Sequence, residues 1–128
     1  MSSSEVQKHP VIVLVEEEAS ERQAIARHLQ DAGFAVIEAT DTNEAMSFLE
    51  QHTDVQGLVT DAHLPGKIDG FELAGVVKKR WPTIAVVMMS GHSDASSGPV
   101  PEGSEFIAKP YLLSHLVPVL NRLIGRAG

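Results

Sequence analysis

Four apolar runs in this chain end on residues able to do chemistry. Leu58-Val59-Thr60 leads into Asp61, and Pro65-Gly66 and Asp69-Gly70 follow within nine residues, the pattern of a buried strand running out into a loop. Val11 to Val15 runs into Glu16-Glu17-Glu18, Ile84 to Met89 into Ser90-Gly91, and Phe106 to Ala108 into Lys109-Pro110. In a parallel sheet all these ends open on one edge, the crevice where open α/β folds bind ligands. An acceptor carboxylate would meet further acids, a hydroxyl and a fixed cation there. Taken singly, each residue has a plainer reading. Asp and Ser often serve turns and caps, a Glu run is usually a solvated loop, and a lysine can simply relieve nearby acids.

The elements that must position these ends follow from periodicity. Ser20 to Ala32 carries Ile25, Leu29 and Ala32 at helical spacing, with Ser20 and Gln23 as a capping box and Gly33 placed to end the helix. Phe34 to Ala39 reads as the second strand. Asp41 and Glu44 form a second capping box, opening a helix that buries Ala45, Phe48 and Leu49. Gly57 to Thr60 is the third strand, and a third helix starts near Asp69, carries Leu73, Val77 and Trp81, and stops before Pro82. The β-branched run at Ile84 to Met89 suits a strand buried on both faces. Strand five and a closing helix from about Leu113 to Ile124 complete a doubly wound α/β pattern.

The totals bound the function. A chain of 128 residues makes one domain, read as a loose tail over 1–9 and a folded unit over 10–125. Without cysteine there are no disulfides and no thiolate chemistry. The start lacks the basic and apolar run of a signal peptide and no apolar run could span a bilayer, so a soluble cytoplasmic protein is expected, with no membrane partner. Ten basic against 17 acidic residues give a net charge of −7, which disfavours direct binding to nucleic acid. The Lys78-Lys79-Arg80 run is placed to complement a helix carboxyl end.

From about Val11 to Ile124 the chain resembles the receiver domain of two-component response regulators. The acid cluster after strand one, Asp61-x-x-Leu64-Pro65-Gly66-x-x-Asp69-Gly70, Ser90-Gly91-His92 and Lys109-Pro110-Tyr111 stand in that family's order. The resemblance implies a five-stranded sheet in the order 2-1-3-4-5 and phosphoryl transfer from a sensor histidine kinase, a phosphotransfer protein or an acyl phosphate to Asp61. It implies that Lys109 and Ser90 bind phosphoryl oxygens, and that Mg²⁺ is held by Glu16, Glu17, Asp61 and the backbone carbonyl of His63. It also makes Ser90 and Phe106 the switch residues. Such a protein is a signalling phosphoacceptor rather than an enzyme on other substrates, and a monomer or weak homodimer.

Two departures from the family stand out. Glu17 lies where Asp is common, one methylene longer, and Mg²⁺ tolerates little deviation from short octahedral distances, so weak metal binding is expected. Gly91 to Ser104, where the family places its fourth helix, is a few residues short. It lacks helical apolar spacing and contains Gly98, Pro99, Pro101 and Gly103. It should be an irregular loop with at most one turn near Asp94 to Ser97, ordering on Ser90 engagement, while Pro118 should delay the final helix to near Ser114. A dehalogenase-like phosphatase would need Asp-x-Asp after strand one, and a flavin carrier a hydroxyl- and glycine-rich loop. The remaining alternative is a phosphorylation-independent pseudo-receiver that acts as an interaction module.

Overall fold

The structure, a computed structural model, describes residues 9–91 and 99–125. Its elements run β1 (Val11–Val15), α1 (Ala19–Asp31), β2 (Ala35–Ala39), α2 (Thr42–Gln51), β3 (Val55–Asp61), α3 (Gly70–Arg80), β4 (Ala85–Ser90), β5 (Glu105–Ala108), a 3-10 turn (Lys109–Tyr111) and α4 (Leu112–Ile124). All strands pair in parallel in the order β2-β1-β3-β4-β5, as the sequence suggests.

Strand alternation divides the core in two. Val13, Val15, Leu58, Val86 and Met88 face α2 and α3, packing with Ala45, Leu49, Phe71, Leu73 and Val77. Ile12, Leu14, Val59, Val87, Met89 and Ile107 face α1 and α4, packing with Ile25, Leu29, Leu116 and Leu120. Every side chain of β4 is buried, because helices cover both faces of an all-parallel sheet.

Capping follows the expected logic with corrections. Glu18, not Ser20, caps α1: its carboxylate accepts from the Glu21 N–H at 2.7 Å, and Ser20 donates its hydroxyl to the same oxygen at 2.7 Å. Glu18 stands two residues before Ser20, so α1 begins earlier than a Ser20 cap predicts, and the Glu18 N–H is satisfied by Glu16 rather than by a residue of the helix. At the other end, Gly33 takes φ +94°, and the Gly33 and Phe34 N–H groups bond the Gln30 and Leu29 carbonyls, closing a Schellman motif. Asp41 caps α2, but Glu44 reaches past it to the Thr40 N–H at 2.7 Å, so the reciprocal half of that capping box is shifted by one residue. Asp69 and Glu72 form a full capping box on α3.

The last helix starts at Leu112, earlier than Pro118 suggests. Pro118 and the residue four before it, Ser114, are both exposed. The carbonyl that loses its partner is therefore open to water, and the penalty of an interior proline is reduced. Pro110 sits in the preceding 3-10 turn, where its missing N–H costs nothing.

Among the described residues no helix lies between β4 and β5. Ser104 N–H bonds the Pro101 carbonyl at 3.0 Å, with Gly103 at φ +86°, a turn that leads into β5. The expected turn near Asp94 to Ser97 and most of the tail over 1–9 lie outside the described residues. Among the described residues no helix is long and apolar enough to cross a membrane.

Candidate functional site

The register of the sheet gathers the predicted residues at its carboxyl edge. Asp61 closes β3 opposite Met89, and Ser90 closes β4 opposite Ala108, the residue before Lys109. Alternation then chooses the face for each. Asp61 shares parity with Val59, Glu16 with Leu14, and Lys109 with Ile107, all on the α1/α4 side. Ser90 shares parity with Met88 on the α2/α3 side, where Phe106 is also partly buried.

The centre of the site is the Lys109 ammonium. Its Nζ donates to Glu21 at 2.7 Å, Glu16 at 3.0 Å and Asp61 Oδ2 at 3.1 Å. An ammonium has three donors, and these contacts use all of them. Burial pulls the Lys109 pKa down, but the bonds to Glu21, Glu16 and Asp61 outweigh it and hold the group well above the ordinary lysine range. Asp61 Oδ1 accepts from the His63 N–H at 3.1 Å, which orients the carboxylate from the loop that follows.

Glu16 is 3% exposed and uses its second oxygen to accept the Glu18 N–H at 2.9 Å. Its burial raises its pKa, against the lowering effects of the Glu18 N–H and Lys109, and the nearby Asp61 charge adds to the rise. Glu17, on the opposite parity, is exposed. Receiver domains generally bind Mg²⁺ at their acidic pocket. In this arrangement the position between the pocket carboxylates is held by the Lys109 ammonium. Among the described residues no three His, Asp or Glu side chains stand close enough to share a metal. The Glu16, Asp61 and Glu21 carboxylates instead share Lys109 as their cation.

Two contributors escaped the sequence reading. Glu21 reaches Lys109 from the first turn of α1, and it lies four and eight residues before Ile25 and Leu29. It therefore extends the buried stripe of that helix toward the sheet edge, a spacing visible in the sequence. Arg22 ties the acid loop down, bonding the Glu16 carbonyl at 3.1 Å and the Glu38 carboxylate at 3.0 Å. On the other side, Gly70 N–H bonds the Ala62 carbonyl at 3.0 Å. A Cβ at Gly70 would overlap the Asp61 carbonyl oxygen and come within 2.8 Å of the Ala62 Cα, so only glycine lets α3 approach the acceptor this closely.

Comparison with known proteins gives a consistent picture. The family model described as response regulator receiver domain matches residues 12–121. A putative response regulator, NtrX-like, of Rickettsia conorii is 32% identical over 115 residues, covering 87% of this chain and 24% of the relative. The DNA-binding transcriptional regulator NtrC of Salmonella typhimurium is 30% identical over 119 residues, covering 90% of this chain and 25% of the relative. The chain thus spans about a quarter of the length of these curated relatives. Among solved structures, a response regulator receiver protein from Sinorhizobium medicae superposes with a TM-score of 0.83 at 28% identity, covering 92% of this chain and 96% of that one. NtrX from Brucella abortus superposes with a TM-score of 0.81 at 28% identity, over 92% of this chain and 27% of the other.

Proposed function

The chain belongs to the response regulator receiver family, and on that premise we propose that Asp61 accepts a phosphoryl group from a sensor histidine kinase, a phosphotransfer protein or a small acyl phosphate. The observation that carries this reading is the Lys109 to Asp61 contact at 3.1 Å, on a strand-end carboxylate whose other oxygen is held by the His63 N–H. Phosphoryl transfer asks a protein mainly for an in-line nucleophile and positive charge near the transferring oxygens. An Asp61 oxygen attacks phosphorus, the bond from phosphorus to the donor nitrogen or oxygen breaks with its electron pair, and an acyl phosphate donor leaves as a carboxylate. Lys109 stays charged throughout and pairs with a phosphoryl oxygen, and the Ser90 hydroxyl donates to another.

The shape change belongs to Ser90 and Phe106 on the α2/α3 face, next to the connection between β4 and β5. Signal leaves by protein contact or onward phosphotransfer. With a net charge of −7, the domain itself is poorly suited to contact DNA, whatever longer relatives do. A phosphorylation-independent interaction module is favoured by one observation, the exposed Glu17 that does not join the acid pair. Incubation with acetyl phosphate and Mg²⁺ followed by intact-mass analysis separates the two readings. One added phosphoryl group, lost in Asp61→Asn, supports the phosphoacceptor; an unmodified wild type supports the interaction module.

A further inference from the structure

We propose that Glu21 is the exchangeable counter-ion of Lys109: it occupies the lysine donor that a phosphoryl oxygen must take, and so restrains phosphorylation of Asp61. The inference rests on the phosphoacceptor reading above and adds a positioning residue to it. Lys109 has no donor to spare, since Glu21, Glu16 and Asp61 take all three at 2.7, 3.0 and 3.1 Å. An incoming phosphoryl oxygen therefore needs one carboxylate to leave.

The three carboxylates differ in how easily they can go. The Glu16 side chain is 4% exposed and that of Asp61 12%, and each has its second oxygen fixed by a backbone N–H. A buried carboxylate that loses its cation stays desolvated, which is costly. The Glu21 side chain is 48% exposed, so water can replace the lysine. There is also room for it to move. Glu21 and Lys109 line one end of a recess of about 230 Å³ between α1 and α4, walled by Ala24, Ile25, Leu112 and Leu113. Glu21 thus makes the shortest of the three bonds and is the partner most readily released.

Displacement also removes a negative charge from the path of a dianionic donor. Neutralising Glu21 should therefore speed the reaction, whereas damage to the site would slow it. The test uses the full chain with acetyl phosphate and Mg²⁺ and compares wild type, Glu21→Gln, Glu21→Asp and Glu38→Gln. Glu38→Gln removes a carboxylate at the same edge of the sheet, but one that pairs with Arg22. We expect Glu21→Gln to raise the initial rate about two- to fivefold, the equivalent of one partly exposed ion pair. Glu21→Asp keeps the charge and should return toward the wild-type rate, and Glu38→Gln should stay near it. A wild type that is labelled at Asp61 alongside a Glu21→Gln variant of equal or lower rate overturns this proposal and leaves the phosphoacceptor reading standing. An equal gain in Glu38→Gln also overturns it, because the effect would then belong to general charge. A wild type with no label removes the phosphoacceptor reading, and this proposal falls with it.

Discussion

The two faces of the sheet deliver different equipment to the same carboxyl edge. On the α1/α4 face Glu16, Asp61 and Lys109 form a closed ionic cluster completed by Glu21. On the α2/α3 face the edge carries Ser90 and Phe106, and α3 is pressed against the backbone of Asp61 at Gly70. The first face holds charge and the second holds shape. One residue of alternation separates these roles, which is why Glu16 lies in the cluster at 3% exposure and Glu17 lies outside it.

The largest effect should come from the shape-holding side. Gly70→Ala places a methyl group on the Asp61 carbonyl and should cost about 3 kcal/mol in urea unfolding, the upper end for overpacking. The matched control is Gly75→Ala in the same helix. A Cβ there would meet nothing within 4 Å, so the change should stabilise by about 0.5–1 kcal/mol. If both substitutions destabilise equally, the close approach of α3 is not what positions Asp61.

Next comes the charge-holding side. Lys109→Met leaves Glu16 and Asp61 facing each other without a cation and should cost about 2 kcal/mol, less than a fully buried pair because the cluster is partly open. The sign with pH follows from the raised Lys109 pKa. The folded state holds this proton more tightly than the unfolded state, so the contribution is complete below the ordinary lysine value and is lost as pH rises through the folded one. Equilibrium unfolding at alkaline pH should show that loss in the wild type, with Lys109→Met losing less over the same range.

The smallest effect is expected at Glu17. Glu17→Ala should change stability by less than about 0.5 kcal/mol, as for an exposed residue outside the cluster. A loss comparable to that of Lys109→Met would mean that Glu17 shares the cluster, and the division by alternation would fail.

Much of this was legible in the chain itself. The apolar runs and helical spacing gave the doubly wound α/β class, the family resemblance gave the strand order, and Asp69 marked the start of α3 at the right residue. The misses have physical causes. The α1 cap went to Glu18 because a carboxylate two residues earlier satisfied the Glu21 N–H and drew in the Ser20 hydroxyl as well. The start of α4 was placed too late because the cost of Pro118 depends on whether its orphaned carbonyl meets water, which only the exposed face of the finished helix decides. Glu16 and Glu17 were treated as a pair, yet extending the alternation of Ile12 and Leu14 by one step would have separated them. Glu21 needed the same step along the stripe of Ile25 and Leu29.

The central claim, that Asp61 is the acceptor held ready by Lys109, is tested most directly by chemical trapping. After treatment with acetyl phosphate and Mg²⁺, borohydride reduces an aspartyl phosphate to homoserine and releases phosphate, and tandem mass spectrometry locates the changed residue. The account predicts homoserine at position 61 alone, in the wild type and not in Asp61→Asn. Reduction at Glu16 or Glu21 instead, or an Asp61→Asn variant that is still labelled, would contradict it.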